Sequence, residues 1–130
     1  MKYLCLVYSE EEKLHSLPES PKDEECLAYD EALRMSGHGI ASEALQPVQA
    51  ATTVRVRNGK VSITDGPFAE TKEQLAGFYL IEARDLNEAI QLAAKIPPAR
   101  VGSIEVRPIR PIREMAQAEI HPNLEISPLP

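Results

Sequence analysis

The chain has 130 residues, 43% of them hydrophobic and 26% charged, with a net charge of -6 and a pI near 5.1. That length holds one domain with a real core and is too short for two. Net negative charge repels phosphate backbones and anionic lipid, which argues against nucleic acid and membrane surface as partners.

Lys2 to Tyr8 (KYLCLVY) is a short β-rich run, apolar on both faces, and predicts a strand central in a sheet covered on at least one side. It is too brief an apolar stretch for a signal peptide, and no run reaches the length of a membrane span, so a cytoplasmic protein is expected. Ser9 to Glu19 reads as a polar loop. A helix follows, with Ser20 as N-cap, Pro21 at the first helical position and Asp23, Glu24 and Glu25 at the positive end of its dipole. Cys26, Tyr29 and Leu33 form its inward stripe and Gly37 stops it. Cys5 and Cys26 fit no metal spacing and both read as small buried hydrophobes.

A weakly marked strand is placed at Ile40 to Leu45, and clearer alternation at Thr52 to Arg57 and Lys60 to Thr64. Between the last two, Asn58-Gly59 is the strongest short hairpin signal, because both turn positions require positive φ. Phe78 to Ala83 is a further strand. Asp85-Leu86-Asn87-Glu88 is a capping box opening an amphipathic helix, with Leu86, Ala89, Ile90 and Ala93 on one face and Pro97-Pro98 at its end. Ser103 to Arg107 is the last strand, followed by a Pro-rich tail over 110–130.

The order β-α-β-(β-β)-β-α-β predicts a ferredoxin-like α+β domain over 1–109, with an antiparallel sheet whose helices cover one face. A second copy of the same sheet is the expected cover for the other face, giving a homodimer.

The stretch DGPFAETKEQLAGFYLIEARDLNEAIQLAAKIPPARVGSIEVRPI, with the opening MKYLCLVY, resembles the YCII-related proteins, and within them the branch named for its Asp-Gly-Pro-Phe motif. The resemblance covers about Met1 to Ile109 and implies the dimeric α+β barrel fold. Related barrels include muconolactone-isomerase-like enzymes, cofactor-free monooxygenases and haem-binding chlorite dismutases. A chloromuconolactone dehalogenase is similar to the YCII group itself. Genes of the Asp-Gly-Pro-Phe branch often lie near sigma factors of the extracytoplasmic-function type, which implies a stress or signalling context. In the wider group a helix-borne His and an Asp have been suggested as an active-site pair. The first helix here, CLAYDEALRM, has no histidine, and Tyr29 and Asp30 occupy the comparable stretch.

Asp65 is the leading candidate for chemistry. The Gly66-Pro67 bend would fix its carboxylate beside an apolar sheet face, where a raised pKa suits a general acid or base; the plainer reading is a turn cap. Phe68 is placed in the core or against a pocket. Thr71 with Gln74 reads as a capping box, leaving Glu70 and Lys72 as a polar rim over a ligand or as solvated charges. His38, between glycines that permit close approach, is read as a proton-transfer or structural side chain. Tyr29 hydrogen-bonds in a pocket or packs. Arg107, Arg110 and Arg113 recur every three residues, the period of polyproline II, and would share one basic edge, with Arg107 holding an anion.

His15 and His121 are given no role. The histidines share no metal spacing, and no phosphate loop, nucleophile elbow or reactive Cys motif is present, so no metal or cofactor is expected. Three functions follow. The first is a small-molecule enzyme without an obligatory metal, performing acid/base isomerisation or elimination with Asp65, His38 and Tyr29 in a common cavity. The second is a non-catalytic ligand-binding or regulatory module. The third is an interaction protein whose dimer surface binds a regulator.

Overall fold

The computed structural model describes residues 1–118. Strand β1 (Lys2–Ser9) is followed by a short helix α1 (Glu11–Ser16), helix α2 (Asp23–Met35), strand β2 (Gly39–Ala44) and the hairpin β3 (Thr52–Arg57) and β4 (Lys60–Asp65). Then come strand β5 (Gln74–Glu82), helix α3 (Leu86–Ala93), strand β6 (Gly102–Pro108) and helix α4 (Ile112–Ala118). The main sheet runs β2-β5-β1-β6 with every neighbouring pair antiparallel. Each β-α-β half therefore has a strand of the other half between its own two, the ferredoxin-like arrangement. The β3–β4 hairpin is a separate two-stranded sheet inserted between the halves.

The core lies between this sheet and helices α2 and α3. Tyr3, Cys5 and Val7 from β1 and Tyr79 and Ile81 from β5 point into it, meeting Leu33, Ala89, Ala93 and Ile96. Side chains alternate along a strand, so Leu4, Leu6, Phe78 and Leu80 face the other way, and they are only half-buried. β1 is central, as its two-sided apolar run requires.

Local chemistry explains the well-formed ends. Asn58 and Gly59 take φ of 53° and 75°, the left-handed pair that a tight hairpin needs. After α2, Gly37 takes φ 83°, its N–H reaching the Arg34 carbonyl while the His38 N–H reaches that of Leu33. Those two bonds are a Schellman stop. Asp85 accepts from the Glu88 N–H at 2.9 Å, and Glu88 reaches back to the Arg84 N–H at 3.0 Å, one residue before the usual partner.

Several expectations need correction. The polar loop at Ser9 to Glu19 contains α1, too short to show a period and held in place by Glu11, whose carboxylate accepts the Val48 N–H at 2.7 Å. Ser20 does not cap α2. Its hydroxyl accepts from the Leu17 N–H and donates to the Lys13 carbonyl, both at 2.9 Å, closing α1, while Lys22 is a side-chain-free N-cap. Thr71 and Gln74 form no capping box, because β5 takes Gln74 as its first residue and Thr71 donates to the Glu73 carbonyl. Leu86 and Ile90 remain about half exposed, since α3 buries its alanines. Arg107 lies in β6 and Arg113 in α4, so the three arginines share no polyproline segment. The Pro-rich tail expected from 110 includes α4, and the rest of that expectation, with His121, lies outside the described residues. No helix among the described residues is long and apolar enough to cross a membrane.

Candidate functional site

A cleft of about 860 Å³ opens between α1, α2 and the ends of β2 and β5. Leu14, Leu27, Leu75 and Phe78 give it apolar walls, and Asp30, Arg34, Ser42 and Tyr79 give it polar ones. Its volume is that of an ordinary small-molecule site, and so is the ratio of apolar wall to a few polar groups.

The polar groups are brought together by the packing of α2 on β2. Asp30 and Arg34 stand one helical turn apart, and the Arg34 Nε donates to the Asp30 carboxylate at 3.0 Å. The other Asp30 oxygen accepts from the Ser42 hydroxyl at 2.5 Å. Both Asp30 oxygens are thus engaged, and the carboxylate orients its neighbours. Tyr79 on β5 is 91% buried by the protein, lines the cleft, and its hydroxyl has no hydrogen-bonding partner among the described residues. Burial, with smaller effects from Cys26, Asp30 and Tyr29, pushes its pKa up to about 12, so it stays a donor at neutral pH. Cys26, on the same wall, is half-buried, where full burial was expected. Burial first, then Asp23 and Glu25, raise its pKa, which leaves a protonated and poorly nucleophilic thiol. His15 lines the mouth from α1 and has no hydrogen-bonding partner among the described residues.

The Asp-Gly-Pro-Phe turn lies elsewhere. Asp65 ends β4, opposite Thr52, and is exposed. The turn is held through Gly66, whose N–H reaches the Ala51 carbonyl at 2.7 Å and whose carbonyl accepts the Thr53 hydroxyl at 2.8 Å. Gly66 takes φ 101°, which explains the glycine. Among the described residues the Asp65 carboxylate accepts no hydrogen bond, so the turn-capping reading is not met either. Phe68 is 79% exposed and anchors nothing in the core. Glu70 is exposed, and Lys72 reaches Glu10 at 3.5 Å, outside the cleft.

His38 bonds through Nδ1 to the Glu82 carbonyl at 2.8 Å, tying the start of β2 to the end of β5. Tyr29 donates to the Leu92 carbonyl at 2.6 Å, joining α2 to α3, and burial pushes its pKa up to about 12. Arg107 pairs with Glu105 at 2.5 Å on the sheet face turned away from the helices. None of Asp65, His38, Tyr29, Phe68, Glu70, Lys72 and Arg107 lines the cleft, nor the smaller hollow of about 250 Å³ between α3 and β6. The expectation that Asp65 shares a cavity with His38, Tyr29 or Arg107 is met in neither.

Sequence reasoning missed Asp30, Arg34, Ser42 and Tyr79 as a group. The i, i+4 spacing of Asp30 and Arg34 was a readable signal, but Ser42 and Tyr79 join them only through tertiary packing. Among the described residues no three His, Cys, Asp or Glu side chains converge as metal ligands.

The split sheet, its one-sided helices and an open cleft at the β2 edge define a ferredoxin-like α+β domain with a ligand-sized site. The chain belongs to the YCII-related family, whose domain model matches residues 1–113. It is 51% identical over 67 residues to an uncharacterized protein of Rhizobium meliloti (strain 1021), a match covering 50% of this chain and 54% of that one. The chain thus matches about half the length of that curated relative.

Proposed function

We propose that this YCII-related protein binds a small molecule that has an apolar body and a hydrogen-bond acceptor, in the cleft between α1, α2 and β2. The Tyr79 hydroxyl carries the reading. The ring is deeply buried while the hydroxyl stays accessible at the cleft, and a tyrosine so placed ordinarily has its hydroxyl hydrogen-bonded. Here it lines a cleft, free to donate to a ligand. The Asp30 carboxylate, already held by Arg34 and Ser42, fixes the adjoining polar wall, while Leu14, Leu27 and Phe78 match the apolar body.

Acid/base chemistry, isomerisation or elimination among the possibilities, is the second reading. It is favoured by His15, an imidazole at the cleft mouth that no described neighbour engages. Tyr79 would then polarise the substrate and His15 would move the proton.

A thermal-shift screen of small polar-aromatic and amphipathic metabolites tests binding. A ligand at a hundred times its Kd stabilises by about 2.7 kcal/mol, a shift of several degrees. Ala44→Phe, at an exposed position on the cleft wall, should abolish that shift and leave the unliganded melting point unchanged within about 1 °C, since such a surface change is worth under ~0.5 kcal/mol. Tyr79→Phe should weaken the ligand roughly tenfold. Full retention of binding in both variants would falsify the assignment. Turnover that survives His15→Ala would remove the second reading.

A further inference from the structure

The cleft beside α2 is strongly one-sided in charge. Glu11 from α1, Asp23 and Asp30 from α2 and Glu43 from β2 all line it, against a single guanidinium, Arg34. With histidine neutral, four carboxylates and one guanidinium leave the lining at a net charge of -3. Asp30 and Arg34 compensate each other through their 3.0 Å pair. Among the described residues Glu11, Asp23 and Glu43 form no salt bridge, for Lys13 and Lys72 are taken up by Glu10 and Arg100 by Glu25. Glu11 also accepts the Val48 N–H at 2.7 Å, which holds its carboxylate at the wall.

We infer, resting on the cleft reading above, that the ligand is an amphipathic amine. Its ammonium group meets the field of Glu11, Asp23 and Glu43, and a neighbouring acceptor takes the Tyr79 hydroxyl. A cleft with low-dielectric walls and charge of one sign focuses its field and concentrates ions of the other sign. The carboxylates come from three elements, and among the described residues no three His, Cys, Asp or Glu side chains converge as metal ligands. A spread of negative charge without a convergent oxygen cage suits an extended organic cation better than a bare metal ion.

Tyr79 points to a ligand independently of the charges, because its residue is 91% buried and its hydroxyl is unpaired at the cleft. Burial also orders the ligand. Tyr79 is buried while Asp23 and Glu43 are exposed, so the acceptor enters first and the ammonium stays near water. A cation left at a wet rim keeps part of its hydration, and the desolvation cost that weakens buried ion pairs is largely avoided. A carboxylate in the same place would meet three like charges, with Arg34 already compensated by Asp30.

Calorimetric titration of the full chain with three matched probes tests the sign of the charge. The hydrocinnamoyl amides of ethylenediamine, ethanolamine and glycine share a phenyl body and an amide carbonyl, and end in an ammonium, a hydroxyl and a carboxylate. At low salt the amine should bind about tenfold tighter than the alcohol and the acid about tenfold weaker. Salt near 0.5 M should compress both gaps to about threefold or less, because charges at a wet rim are screened. Asp23→Asn with Glu43→Gln should likewise cut the amine's advantage to about threefold. Glu31→Gln with Glu114→Gln removes the same charge outside the cleft lining and should leave that advantage near tenfold. An amine that binds no better than the alcohol overturns the inference and leaves the cleft reading standing, as does an advantage that survives Asp23→Asn with Glu43→Gln. Binding of none of the probes, or undiminished binding of all three by Ala44→Phe, removes the cleft reading and the inference with it.

Discussion

Tyr29 and Tyr79 lie with ring centroids 6.3 Å apart, and one physical cause, burial, governs both phenols. Each has a folded-state pKa near 12 against an ordinary 10.0. The folded chain therefore holds these protons more tightly than the unfolded chain does. Their contribution to stability is whole below about pH 10 and is lost as pH rises from 10 through 12. Phenolate absorbance during alkaline titration should show two groups that ionise late and together with unfolding. Tyr29→Phe should remove one of them and cost about 1 kcal/mol through the lost bond to Leu92. Early ionisation of every phenol with the fold intact would contradict this account. For Tyr29, sequence chemistry offered a pocket or a packed ring; its hydroxyl is spent on the Leu92 carbonyl of α3 instead. His38 shows the same outcome, since its ring joins two strands.

Elements formed where local chemistry and tertiary demand agree. The α3 start is the clearest case, for Asp85 was legible as a cap and accepts from the Glu88 N–H. Asp85→Ala should lower stability by about 1 kcal/mol, a fall of a few degrees in Tm by calorimetry. Asp85→Asn, which retains an acceptor oxygen, should recover most of it. At α2 local chemistry misled: Ser20 has the composition of a cap but is taken up by α1. The same happened at Thr71, where pairing of Gln74 with Ser9 extended β5 and left no room for a helical turn. A capping motif states what a side chain is able to do, and competing backbone partners decide whether it does so.

At the scale of the molecule, stability rests on a thin, one-sided core. Many of its members are small, among them Cys5, Ala83, Ala89 and Ala93, while Ile81 and Ile96 are its largest fully buried aliphatic side chains. Ile96→Ala should cost about 2–5 kcal/mol by leaving a cavity at the junction of α3 and the sheet. In a domain whose total stability is on the order of 5–15 kcal/mol, the loss should appear as a large drop in urea midpoint at unchanged slope. Val61→Ala, on the exposed hairpin face, should leave the urea midpoint of the isolated fold nearly unchanged. Outside this core, Val54, Val56, Val61 and Ile63 on the hairpin stay exposed, while Leu4, Leu6, Phe78 and Leu80 on the far sheet face are half-buried.

By itself the sequence determined the order of the six strands and the two longer helices, the Asn58-Gly59 hairpin, the Gly37 stop and the β1 strand at the centre. These depend on short-range sterics and on a hydrophobic period that each segment carries alone. The family likeness was legible for the same reason, in contiguous residues. The cleft was decided only by tertiary structure. Asp30 and Arg34 come from one helix, but Ser42 and Tyr79 arrive on two strands that are paired through contacts distant in sequence. A conspicuous motif such as Asp65-Gly66-Pro67-Phe68 advertises its backbone turn, and whether its side chains meet a pocket depends on where the sheet places that turn.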